Sequence, residues 1–166
     1  MKRNEIEQAY TWDLTSLFPN QDAFYKQYQD AKTILEEMVG KQGHITDTIK
    51  DFIAFMEKEE TFTRYLSNMI GYANMSADVL PEDQTVQMNR SMIMKLYQDS
   101  LEKLNFVNLE LIANKDIVEG YLKQEDCHDF QYPMDELFRT IPHRLNEEQE
   151  LLMAQVNELM MNPSEV

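Results

Sequence analysis

The side chains that could carry chemistry are few: His44, His128, His143 and Cys127. A zinc-activated water needs two imidazoles one helical turn apart with a glutamate beside the first, the H-E-x-x-H arrangement, because positions i and i+4 share a helix face. His44 is followed by Ile45, His128 by Asp129 and His143 by Arg144, so none of the three opens that motif. Glu125-Asp126-Cys127-His128 does hold the E-x-x-H spacing of di-iron bundles, but that centre needs a second copy and a glutamate from each of two further helices. The second copy is missing, and His128 reads as an exposed or capping histidine. Cys127 adjoins His128, yet neighbours along a helix point in different directions, and no glycine-rich segment nearby offers an oxyanion hole. It reads as a small buried hydrophobe. Ser16, Ser67, Ser76, Ser91, Ser100 and Ser164 all lack a G-x-S-x-G setting, and the isolated glycines exclude a P-loop or a dinucleotide-binding turn. No catalytic residue and no metal-ligand set is therefore legible, and no substrate-binding residue can be named.

Charge and composition narrow the class. The 166 residues include 30 acidic and 15 basic side chains, for a formal charge of −15, and such a field repels phosphate backbones and anionic lipid. Neither a nucleic acid nor a membrane is an expected partner. No apolar stretch follows Met1-Lys2-Arg3, so no secretory signal is read, and no run approaches the length of a membrane span. A single cysteine forms no internal disulfide. These features point to a cytoplasmic location. Only four Gly and five Pro stand among many Glu, Gln, Met, Leu and Lys, a composition that favours helix.

The elements follow from periodicity. Residues 1–18 read as an extended arm ending in a single turn capped by Asp13 and stopped by Pro19. Asn20 caps a first helix whose inner stripe is Phe24, Tyr28, Ala31, Leu35 and Met38, closed by Gly40 and Gly43. Thr46 or Asp47 caps a second stretch with Ile49, Phe52, Ile53 and Met56 on one face. The polar run Glu57-Lys58-Glu59-Glu60 predicts a break or bend before Phe62, Tyr65, Leu66, Met69, Ile70 and Ala73 resume the pattern. Pro81 marks the start of a third helix, expected from Glu82 to about Asn108, with Ile93, Tyr97, Ser100, Leu104, Val107 and Leu111 inward. Shorter helices are expected over Asn114–Lys123 and Tyr132–Thr140, the latter ended by Ile141-Pro142. Asn146 with Gln149 makes a capping box for a last helix that buries Leu152, Val156 and Leu159. Strand-like alternation is absent. The expected fold is all-α: one domain over 1–166, an elongated antiparallel bundle of about five to seven helices over 20–166, preceded by the arm.

Glu36-Glu37, Glu57-Glu59-Glu60 and Glu147-Glu148-Glu150 read as solvated helix faces or helix starts. Twelve Met and sixteen Phe plus Tyr (eight of each) supply a Met-rich core, with some left for an apolar face through which the chain could self-associate.

Tyr10-Thr11-Trp12-Asp13-Leu14-Thr15-Ser16-Leu17-Phe18-Pro19 resembles the opening signature of the oligoendopeptidase F family, bacterial zinc metallopeptidases of the thimet-oligopeptidase group. Tyr72 and Asp78 fall where that family has a tyrosine-containing helix and an acidic turn. Ile141-Pro142-His143-Arg144-Leu145-Asn146-Glu147-Glu148-Gln149-Glu150 looks like the family's R-x-K-P-H-x-L-S-x-x-E-E segment, with Asn146 replacing the serine cap and Arg139-Thr140-Ile141 departing before the proline. Asn162-Pro163-Ser164-Glu165 resembles the next landmark.

The resemblance covers nearly the whole chain, but only the N-terminal helical part of such an enzyme. It implies that the family's H-E-x-x-H, third zinc ligand and substrate-polarising groups lie in a missing C-terminal catalytic domain. No catalytic residue carries over, and zinc is expected only in the full-length enzyme. It further implies that the helices wall a deep cleft admitting short peptides. Tyr10, Trp12, Asp13, Leu14, Phe18, Pro142 and His143 are the signature residues, read structurally: Trp12 as an anchor for the arm with Tyr10 and Phe18 against it, Asp13 as a cap, and His143 as a turn residue. The expectation is an N-terminal domain that is inert alone. Its rivals are a free-standing helical adaptor binding a partner helix or peptide, and a helical-bundle metal protein.

Overall fold

Each of the three long helices begins where a short polar side chain answers free N–H groups. The computed structural model describes residues 12–143, and among them every regular element is helical. Asn20 accepts from Ala23 N–H at 2.9 Å and opens α1 (Gln21–Val39). Thr48 and Asp51 cap reciprocally: the Thr48 hydroxyl accepts from Asp51 N–H at 3.2 Å and donates to the Asp51 carboxylate at 2.6 Å, opening α2 (Ile49–Val79). Asp83 accepts from Thr85 and Val86 N–H to open α3 (Gln84–Lys103). Caps of this kind contribute about 1 kcal/mol each. Then follow α4 (Phe106–Ala113), α5 (Lys115–Tyr121), a 3₁₀ helix over Glu125–Phe130, α6 (Gln131–Arg139) and a 3₁₀ turn over Ile141–His143.

The described residues fall in two compact units that divide between His128 and Asp129. In the first, Phe24 meets Tyr72, the Gln27 amide donates to the Tyr65 carbonyl at 3.2 Å, and Lys58 pairs with Glu37 at 2.6 Å. Numbers fall on α2 as they rise on α1, so the two run antiparallel. α3 returns along α2 and also touches α1, giving a three-helix core. Phe24, Ala31, Leu35 and Met38 of α1, Phe52, Phe55, Phe62 and Met69 of α2, and Ile93 and Leu96 of α3 fill it. Val107, Leu111 and Val118 extend the buried set into α4 and α5. In the second unit, α6 buries Met134 and Phe138 one turn apart, and Arg139 pairs with Glu136 at 2.6 Å.

Four expectations need correction. α2 runs unbroken for 31 residues through Glu57-Lys58-Glu59-Glu60. Glutamate and lysine are good helix formers, Lys58 is held by Glu37, and the buried Met56 and Phe62 on either side keep one face inward. The cap of α2 is Thr48; Thr46 is instead buried and Asp47 turns to His44. The third helix starts at Gln84, after Asp83 rather than at Pro81. It stops at Lys103, where Leu104 N–H bonds back to Ser100, and α4 restarts at Phe106. The four-and-three spacing of Leu104, Val107 and Leu111 continues across that junction, which hides it from periodicity. The last expected helix, capped by Asn146, lies outside the described residues, as do Tyr10 and the Asn162-Pro163-Ser164-Glu165 stretch.

Candidate functional site

The signature segment is a small cap-and-anchor device. Asp13 precedes a 3₁₀ turn over Leu14–Ser16 and accepts from the backbone N–H of Thr15 at 2.9 Å and from the Thr15 hydroxyl. The hydroxyl first, and the N–H after it, hold the Asp13 carboxyl below its ordinary range. The turn delivers Phe18 inward: its ring stands edge-on to Phe24 at 5.4 Å and to Tyr72 at 5.1 Å. Phe18 is thus buried, whereas Trp12 is 61% exposed. Leu14 is half-buried. Pro142 and His143 lie in the 3₁₀ turn that follows α6.

His44, Cys127 and His128 each have a setting of their own. His44 Nδ1 pairs with the Asp47 carboxylate at 2.7 Å on an exposed loop. His128 is exposed, at the division between the two units. Cys127 is fully buried, and burial first, then the charge of Asp126, pushes its thiol pKa up, the opposite of what a nucleophile needs. Among the described residues, no three His, Cys, Asp or Glu side chains are grouped to hold a metal ion.

Sequence reading missed a groove. α1 and α3 enclose about 220 Å³ lined by Tyr28, Lys32, Leu35 and Glu36 on one side and Lys95, Leu96, Asp99 and Lys103 on the other. Both sets recur at helical spacing, which was visible in the sequence. The 60-odd residues between them hid their convergence, and their alternating charge reads as ordinary surface ion pairing.

Known proteins share parts of this sequence. The family model described as "Oligopeptidase F" matches residues 111–166. The "Group B oligopeptidase PepB" of Streptococcus agalactiae serotype III (strain NEM316) is 26% identical over 162 residues, covering 95% of this chain and 26% of that protein. The "Oligopeptidase PepF" of Bacillus subtilis (strain 168) is 21% identical over 164 residues, covering 98% of this chain and 24% of its own length. The "Oligoendopeptidase F, plasmid" of Lactococcus lactis subsp. cremoris is 24% identical over 168 residues, with 98% and 28% covered. The chain thus spans about a quarter of the length of the curated relatives it matches. No solved structure matches.

Proposed function

We propose, from the premise that this chain belongs to the oligoendopeptidase F family as its N-terminal helical part, that it forms one wall of a peptide-admitting cleft and carries no hydrolytic centre of its own. The observation that supports this reading is the pattern of coverage: nearly all of this chain aligns with about a quarter of each oligopeptidase. Its substrates would be those of the whole enzyme, short peptides, and its partner the catalytic remainder, in the cytoplasm.

The family's zinc does not fit the described residues. Hydrolysis needs a metal-held water and a base placed beside it. The His44 imidazole is turned to Asp47, and no cluster of donors stands near it. No step of the reaction is therefore assigned to these residues; this chain's contribution is shape. A three-helix core with capped ends is stiff enough to act as a wall that passes an extended peptide and excludes a folded protein.

Incubating the 166-residue chain with zinc and a quenched oligopeptide library should give no cleavage. Turnover abolished by a chelator overturns the reading.

One feature favours a second reading, an adaptor or self-associating module. Met94, Tyr97 and Leu101 share one face of α3 and are 37%, 39% and 58% exposed. Sedimentation across a concentration series separates the two: a monomer that binds no apolar dye speaks against a sticky face, and a reversible dimer speaks for it.

A further inference from the structure

Lys95, Asp99 and Lys103 succeed one another by one helical turn on α3, and Lys32 and Glu36 do so on α1. At this spacing opposite charges can meet. Lys26 reaches Asp30 at 2.6 Å and Lys115 reaches Glu119 at 3.4 Å, whereas Glu60 and Arg64 on α2 form no pair. In the groove the charges do not meet. Among the described residues, no carboxylate forms an ion pair with Lys32, Lys95 or Lys103. The Lys32 ammonium instead stands 5.9 Å from the centre of the Tyr28 ring.

Three lysines and two acidic residues thus line one concavity without forming ion pairs with one another, and the buried Leu35 and Leu96 line it with them. In a chain of net charge −15 this is a local reversal of sign. A simple polyanion would meet Glu36 and Asp99, and a simple cation would meet the lysines. An occupant bearing both charges satisfies both sets. The volume of about 220 Å³ lies below the roughly 300–1,000 Å³ of pockets for drug-sized ligands, so the occupant is small.

We propose that this groove binds a small zwitterion of the amino-acid and dipeptide class. Its carboxylate lies among Lys32, Lys95 and Lys103, its ammonium faces Glu36 and Asp99, and its side chain rests over Leu35 and Leu96. The site is built from α1 and α3 alone and stands whether or not the cleft reading holds.

The test is a backbone-amide NMR titration of the 166-residue chain with alanyl-leucine, its N-acetylated form, its C-terminal amide and inorganic phosphate. The free dipeptide should give saturable shifts confined to residues 28–36 and 95–103, with a Kd of roughly 1 mM. Each blocked form should bind about tenfold more weakly, as should the double substitution Lys95→Gln with Lys103→Gln. Absence of saturable shifts in these segments overturns the proposal. So does equal binding of free and blocked dipeptide, or tighter binding of phosphate than of the dipeptide. The blocked series requires no substitution, so its outcome does not depend on how the double variant folds.

Discussion

The carboxylate of Glu110 receives the backbone N–H of Ile45 at 2.7 Å, and its other oxygen takes the N–H of Gly43 at 2.7 Å. One side chain of α4 thereby clasps the loop between α1 and α2 from 65 residues away. The loop needs holding: Gly43 has φ 80°, a left-handed conformation that glycine adopts freely, and Ile45 is driven fully inward. Tyr121 of α5 adds a second tie, its hydroxyl donating to the Thr46 carbonyl at 3.0 Å. The turn from α1 into α2 is thus held by α4 and α5 as well as by its own Gly43.

Removing the clasp should be expensive. Hydrogen bonds to a charged group contribute about 1.5–3 kcal/mol, and the half-exposed setting of Glu110 reduces their sum, so Glu110→Ala should lose about 2–3 kcal/mol in urea unfolding. Glu110→Gln keeps one good acceptor and should lose less. A Glu110→Ala midpoint equal to wild type, with the urea dependence unchanged, would remove the clasp from the account.

Phe18 and Trp12 should separate cleanly. Phe18 sits edge-on to two rings and is buried, so Phe18→Ala should destabilise by about 3–5 kcal/mol, as for other buried phenylalanines. Trp12→Ala should cost clearly less than Phe18→Ala, because the indole is 61% exposed and Phe18 is buried. Comparable losses from both would overturn that order.

Helix positions were legible because they follow from local rules. Asn20 announces α1, and Phe24, Ala31, Leu35 and Met38 mark its inner face without any tertiary knowledge. What escaped was set by neighbours. Glu57-Lys58-Glu59-Glu60 reads as a break until Glu37 is brought against Lys58. The stop at Lys103 is concealed by an apolar rhythm that carries on through Leu104 into α4. The clasp by Glu110 and the lysine groove both join residues more than 60 positions apart, and no window along the chain contains both halves.

Cys127 should be chemically silent in the folded chain. It is fully buried, and its thiol is pushed toward the protonated form by burial and by Asp126, while alkylating agents attack the thiolate. Its modification by iodoacetamide near neutral pH should be at least about tenfold slower than in urea-unfolded chain. Equal rates in the two states would contradict its burial.

Glu59 should make the chain more stable in mild acid. It stands between the buried Met56 and Phe62 on the inward stripe of α2, and among the described residues no hydrogen bond or ion pair reaches its carboxylate. Burial accordingly pushes its pKa above the ordinary glutamate value. The sign follows: the unfolded chain releases this proton more readily, so the group favours the folded state at low pH. That advantage is fully present below about 4.3, the unfolded value, and disappears as pH rises through the folded one. Glu59→Gln keeps the shape and removes the charge, so it should stabilise the chain at pH 7 by on the order of 1 kcal/mol. The gap between variant and wild type should shrink as pH is lowered through the folded pKa toward the unfolded value. Thermal melts of both proteins across that range decide the matter, and a difference that is flat with pH, or one that widens in acid, means that Glu59 is solvated rather than confined.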